Sequence, residues 1–100
     1  MTRAVWVTVL TLAATAPLKA DEPRTGFLQR TVRIGDESHA YKVWVPPGFD
    51  RSRSWPVILF LHGRGESGTD GEQQTKVGLG RVLRSSPERF PALVVFPQAA

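Results

Sequence analysis

Ten consecutive residues, His62-Gly63-Arg64-Gly65-Glu66-Ser67-Gly68-Thr69-Asp70-Gly71, hold the densest set of groups able to do chemistry in this chain. They follow an apolar run, Val57–Leu61 (VILFL). Glycines at 63, 65 and 68 let a backbone bend sharply and come close to a ligand. Three chemistries compete for such a loop. Gly63-x-Gly65-x-x-Gly68 matches a dinucleotide fingerprint, which also needs an acid at the end of the next strand and a helix opening at the last glycine. Phe96-Pro97-Gln98 offers no acid there, and Thr69-Asp70-Gly71 continues the loop. Gly63 and Gly68 also fit a phosphate loop, yet Thr69-Asp70 stands where Lys-Ser/Thr is required, and Asp70 would repel a phosphate. The third chemistry is main-chain stabilisation of an oxyanion. A tetrahedral intermediate puts negative charge on one oxygen, and fixed N–H donors stabilise it without reorganising; losing one donor costs about 2.7–4 kcal/mol.

The other reactive residue types have plainer readings. No Ser/Asp partner set surrounds His62, so a structural role is expected. His39 opens a strand and is expected at the surface. Two separated His and no Cys give no metal-ligand spacing, so neither a metal nor a cofactor is expected. The Arg64 side chain is expected to be solvated or paired with Glu66 or Asp70, and Ser67 to hydrogen-bond within the loop. Glu66, Asp70 and Glu72 read as solvated loop acids. Trp44 and Trp55 read as packing residues. Gln98 follows an apolar run that should end near the mouth of a site, so it is a candidate substrate contact.

The elements that must position this loop are legible in the hydropathy pattern. Phe27–Ile34 alternates roughly, and His39–Val45 alternates with Tyr41, Val43 and Val45 opposite Lys42 and Trp44. Gly35-Asp36-Glu37 between them predicts an antiparallel hairpin. Pro46-Pro47-Gly48 ends it. Val57–Leu61 and Ala92–Phe96 (ALVVF) are apolar throughout, the habit of parallel strands buried on both faces. About thirty residues lie between them, room for a crossover helix. Leu79, Val82 and Leu83 have helical spacing, and Pro87 stops that helix by Ser86. Gly78 and Gly80 weaken its start. The expectation is an α/β fold: an antiparallel hairpin, then parallel strands joined by a crossover helix.

One helix cannot cover both faces of two buried strands. Leaving four or five large apolar side chains bare forgoes roughly 6–15 kcal/mol at about 1.5–3 kcal/mol each. That equals the net stability of a typical domain, about 5–15 kcal/mol. The 100 residues are therefore expected to be the front part of a larger protein.

Composition excludes several classes. Hydrophobic residues are 41% and charged residues 22%, with 9 Gly, 8 Pro and no Cys. Disordered low-complexity chains, collagen-like repeats and disulfide-rich miniproteins do not look like this. The length allows one domain at most. Residues 21–100 carry a net charge of only +2, with basic and acidic residues interspersed, so nucleic acid is not an expected partner. The start reads as an export signal: Arg3, the apolar run Ala4–Ala16, then Leu18-Lys19-Ala20 before Asp21. Thirteen residues reach roughly 20 Å at about 1.5 Å each, short of a ~30 Å hydrocarbon core. Residues 1–20 are thus expected to be a removed signal peptide, leaving 21–100 as part of a secreted or periplasmic domain with no stable membrane span.

Three segments together resemble a known family. They are Tyr41-Lys42-Val43-Trp44-Val45-Pro46-Pro47-Gly48-Phe49, Trp55–Gly68 with His62-Gly63-Arg64-Gly65 after its strand, and Val94-Val95-Phe96-Pro97-Gln98. Their order and spacing resemble the N-terminal portion of the α/β-hydrolase superfamily, whose oxyanion loop follows the third strand. The likeness is to secreted esterases of the phospholipase/carboxylesterase and polyhydroxyalkanoate-depolymerase-like branch, a "predicted peptidase" group. It implies a serine hydrolase cleaving carboxylic esters, small or polymeric, through an acyl-enzyme. It also implies that the backbone N–H of Arg64 is one oxyanion donor, with Gly63 and Gly65 giving the loop its shape. The nucleophile elbow G-x-S-x-G is absent from these 100 residues. The nearest match, Gly65-Glu66-Ser67-Gly68-Thr69, ends in Thr and follows the wrong strand. The resemblance places nucleophile, acid and base beyond residue 100, so these residues alone are expected to be inactive. The competing class is a non-catalytic hydrolase-like module.

Overall fold

The computed structural model describes residue 3 and residues 24–100. The expected signal segment, residues 1–20, lies almost wholly outside the described residues. The order of elements is β1 (Gly26–Ile34), β2 (Glu37–Val45), β3 (Val57–Leu59), a 3-10 turn at Arg64–Glu66, a second at Gln73–Thr75, α1 (Leu79–Ser85) and β4 (Leu93–Pro97). These form one mixed sheet in the order β1-β2-β4-β3. β1 and β2 make the expected hairpin, from Gly26 opposite Val45 to Ile34 opposite Glu37. β2 pairs antiparallel with β4, and β3 pairs parallel with β4. This is the expected α/β arrangement of hairpin, parallel pair and crossover helix.

Register explains the core. One cross-strand row runs Phe27, Trp44, Val94, Ile58. Trp44, Val94 and Phe96 are buried on this face with Leu83 of α1, and Phe27, Ile58, Phe60, Leu79 and Phe90 pack around them. Tilted aromatic contacts link Phe27 to Trp44 (4.8 Å) and Phe60 to Phe96 (5.3 Å). Such pairs add stabilisation beyond the area they bury.

The next row, Leu28, Val43, Val95, Leu59, faces the other way because successive strand residues alternate sides. That face has no helix on it among the described residues. Val57, Leu59 and Leu61 are 63%, 62% and 72% exposed, and Ile34 is 65% exposed. Burial of β3 on both faces is therefore not what these residues achieve. Ile58, and Phe60 just past the strand, enter the core; Leu59 lines an open hollow of about 590 Å³ edged by Val32, Tyr41 and Val95. The shortage of cover follows from there being one α-helix for two sheet faces among the described residues.

The two glycines at the helix start have different causes: Gly78 takes a left-handed φ of 54°, and Gly80 is set by packing. A Cβ on Gly80 would lie 2.0 Å from the Thr75 carbonyl oxygen, so the backbone of α1 rests directly on the second 3-10 turn. Arg84, one turn on, donates to the Thr75 carbonyl and to Thr75 Oγ1, and lies over the Phe27 ring at 4.4 Å. Two effects oppose each other in Gly80→Ala. Helix propensity favours Ala by about 1 kcal/mol, whereas overpacking costs about 1–3 kcal/mol or more. The clash is with backbone, which cannot rotate away, so it wins. Gly80→Ala is expected to lower the denaturant midpoint of the complete protein, while the same change at Gly65, whose Cβ would meet nothing within 4 Å, leaves it unmoved.

Candidate functional site

β3 ends at Leu59, but Phe60 N–H still donates to Val95 O (2.9 Å), and the chain then leaves the sheet. Gly63 lies at φ −79°, ψ 174°, extended backbone that any residue adopts. The 3-10 turn follows, closed by Glu66 N–H to Gly63 O (3.2 Å) and Ser67 N–H to Arg64 O (3.3 Å). The N–H groups of Arg64 and Gly65 precede the first bond of that turn, and among the described residues no acceptor meets either one. They stay free because the opening N–H groups of any helix have no intrahelical partner. Gly63 and Gly65 owe nothing to a left-handed conformation; the left-handed bend sits further on, at Gly71 (φ 70°). The Arg64 side chain is exposed and forms no ion pair among the described residues, with Glu66 or Asp70 or otherwise.

His62 staples the loop to the end of β4. Its Nε2 accepts from Ala99 N–H (2.8 Å), so that nitrogen carries no proton. Nδ1 then bears the hydrogen and donates to Gly63 O. Both ring nitrogens are thus engaged within the protein. Ala99 also accepts from Gly68 N–H through its carbonyl (2.8 Å). A hollow of about 320 Å³ lies beside this junction, lined by Leu61, His62, Pro97, Gln98 and Ala99.

Gln98, the candidate substrate contact, is 9% exposed and turned toward the loop. Its Oε1 accepts from Gly71 N–H (2.7 Å), and its Nε2 donates to Glu66 O and Asp70 Oδ1 (3.0 Å each). Asp70 Oδ1 also accepts from Glu72 N–H (2.9 Å) and Gln73 N–H (3.4 Å). Glu72 pairs with Lys42 Nζ (2.6 Å), whose side chain is largely buried. The loop acids Asp70 and Glu72 are thus structural anchors rather than free solvated charges. Sequence reasoning did not reach this clamp. The one available signal was Asp70 two residues before Glu72, the spacing of an Asx turn. Gln74, wholly buried, ties Gly71 O to Phe96 O (3.1 Å each) from beneath.

The geometry also separates the competing chemistries. α1 begins at Leu79, far beyond Gly68, so the glycine loop does not open a helix as a dinucleotide site requires. Among the described residues no three His, Cys, Asp or Glu side chains converge.

No protein-family profile and no curated protein sequence matches the chain. Among solved structures, the chain is similar over 73% of its length to the crystal structure of a thermostable esterase, at 27% sequence identity and a TM-score of 0.54. The match covers 21% of that esterase, so the chain spans about a fifth of the structure it resembles. The four-stranded mixed sheet with its short helix matches part of an esterase fold.

The loop's electrostatics give a pH dependence of known sign. The N–H of Glu72 and the Gln98 amide hold the Asp70 carboxyl below its ordinary value of 3.8, with Gln73 N–H and the Lys76 charge adding to them and partial desolvation opposing. A carboxyl lowered in the folded state stabilises fully above its unfolded pKa, and that contribution is lost as pH falls through the folded value. The melting-temperature difference between the wild type and Asp70→Asn is expected to be constant near neutrality and to shrink toward zero below about pH 4. A difference that grows on acidification would contradict the assignment.

Proposed function

We propose that the chain is the leading part of a secreted or periplasmic serine hydrolase of the α/β-hydrolase type, acting on carboxylic esters. The observation that carries this reading is the pair of unpartnered N–H groups at Arg64 and Gly65, at the end of a parallel strand in a fold that matches part of an esterase. In this reading the Arg64 N–H points at the carbonyl oxygen of the bound ester. As a serine hydroxyl attacks, that oxygen gains charge, and the N–H bond to it strengthens without any movement of the loop. The second donor, the serine and its acid and base come from chain beyond residue 100. The bare odd positions of β3 suit the same reading, since they leave a face for that chain to cover. Residues 1–20 act as the export signal.

A main-chain donor is tested by removing the N–H and keeping the shape. Arg64 is the first residue of its turn, where proline is tolerated because the N–H is unused inside the helix. Gly63 already has the extended conformation that precedes proline. In the complete protein, Arg64→Pro is expected to lower kcat for a p-nitrophenyl ester by about 10²–10³-fold with melting temperature unchanged. Arg64→Ala keeps the N–H and is expected to retain most of the activity. Equal losses in both variants would assign the effect to the side chain. Labelling of the complete protein by a fluorophosphonate tests the serine itself; a wild-type protein that does not label and hydrolyses no ester is the non-catalytic module instead.

A further inference from the structure

We propose that Gln98 is a positioning residue for the oxyanion loop, acting through Glu66 and Gly71 rather than on substrate; this rests on the reading of Arg64 just given. The loop needs bracing because the planar Gly63–Arg64 peptide, which sets the direction of the Arg64 N–H, is held within the turn only by the bond from Glu66 N–H to Gly63 O, so its aim depends on where Glu66 sits. The 3-10 turn has only two backbone bonds, 3.2 and 3.3 Å long. Gln98 supplies what is missing. It grips the last residue of that turn through Glu66 O, and the far end of the loop through Gly71 N–H and Asp70 Oδ1.

The chemistry of the three contacts selects an amide. The Glu66 carbonyl and the Asp70 carboxylate each need a donor, whereas Gly71 N–H needs an acceptor. Only Gln offers both from one side chain of this length; Glu would set a second carboxylate against two acceptors, and Asn is one methylene short. Both Nε2 hydrogens are consumed, so Gln98 has no donor left for a substrate oxygen. Close packing leaves little room for another arrangement. A Cβ on Gly68 would lie 3.1 Å from Gln98 Nε2, and one on Gly71 would lie 3.0 Å from the Ala40 Cβ. The side chain therefore links the strand end to the turn as a rigid strut, while Ala99 makes the parallel main-chain links to His62 and Gly68.

The test is Gln98→Met in the complete protein, which keeps length and removes all three bonds. A donor displaced by about 1 Å costs up to about 10²-fold in rate. The expected result is a kcat for a p-nitrophenyl ester lowered about 10- to 100-fold with KM within about twofold. In an Arg64→Pro background, where the N–H is already gone, Gln98→Met is expected to cost little more. Amide exchange at Glu66 and Ser67, whose N–H groups form the turn, is expected to accelerate. A raised KM with kcat held would make Gln98 a substrate contact, and full additivity with Arg64→Pro would make its effect independent of the loop donor; either overturns the proposal. Unchanged exchange at Glu66 and Ser67 overturns it even in a protein without esterase activity. If Arg64→Pro alone leaves kcat intact, the oxyanion reading fails, whatever Gln98→Met does. Should Gln98→Met not fold, Asp70→Ala removes one contact at an exposed site. It is expected to give a smaller loss in kcat at constant KM; no loss overturns the proposal.

Discussion

The parallel pairing of β3 with β4 is the constraint on which the rest depends. Val57, Ile58 and Leu59 lie beside Leu93, Val94 and Val95, so both strands run out of the sheet in the same direction and at the same edge. Whatever follows β3 must then share space with whatever follows β4. The loop 62–71 and the residues 98–99 meet for that reason. His62 and Gly68 engage the main chain of Ala99, and Glu66, Asp70 and Gly71 engage the side chain of Gln98. A loop with few bonds of its own is fixed by its neighbour's end, which leaves the N–H groups of Arg64 and Gly65 unspent.

The core supports this junction from one side. The row Phe27, Trp44, Val94, Ile58 packs toward α1, and α1 sits so low on the Thr75 backbone that its second residue has to be glycine. Gln74, buried under the loop, joins Gly71 to Phe96 and so transmits the position of β4 to the base of the loop. The opposite face carries Val57, Leu59, Leu61 and Ile34 to solvent. An apolar sheet face of this kind is stable in water only when another layer covers it. The sheet thus has a packed face, which holds the loop, and a face left bare among the described residues.

The residue pattern foretold the backbone better than the clamp. Alternation in Phe27–Ile34 and His39–Val45 located the hairpin, and Leu79, Val82 and Leu83 located α1, because those periods follow directly from which side of an element faces the core. The apolar run Val57–Leu61 misled in one respect: it resembled a strand buried twice, yet its odd positions are bare. Hydropathy records what a strand is suited to, and no covering layer lies on that face among the described residues. The candidate site is legible in the sequence only as a main-chain feature after His62-Gly63. Gln98 invites the reading of a substrate contact and Asp70 that of a solvated acid, because the bonds Gln98 makes to Gly71 N–H, to the Asp70 carboxylate and to Glu66 O span 27, 28 and 32 residues, which no local spacing reveals.

The central claim is that the Arg64 N–H is held open for an oxyanion. A crystal structure of the complete protein carrying a covalent fluorophosphonate adduct tests it most directly. The account predicts the phosphoryl oxygen about 2.7–3.1 Å from Arg64 N, with the Gln98 side chain still bonded to Glu66 and Gly71. An adduct oxygen held by other donors, or an Arg64 N–H bonded to a carbonyl of the protein itself, would contradict it.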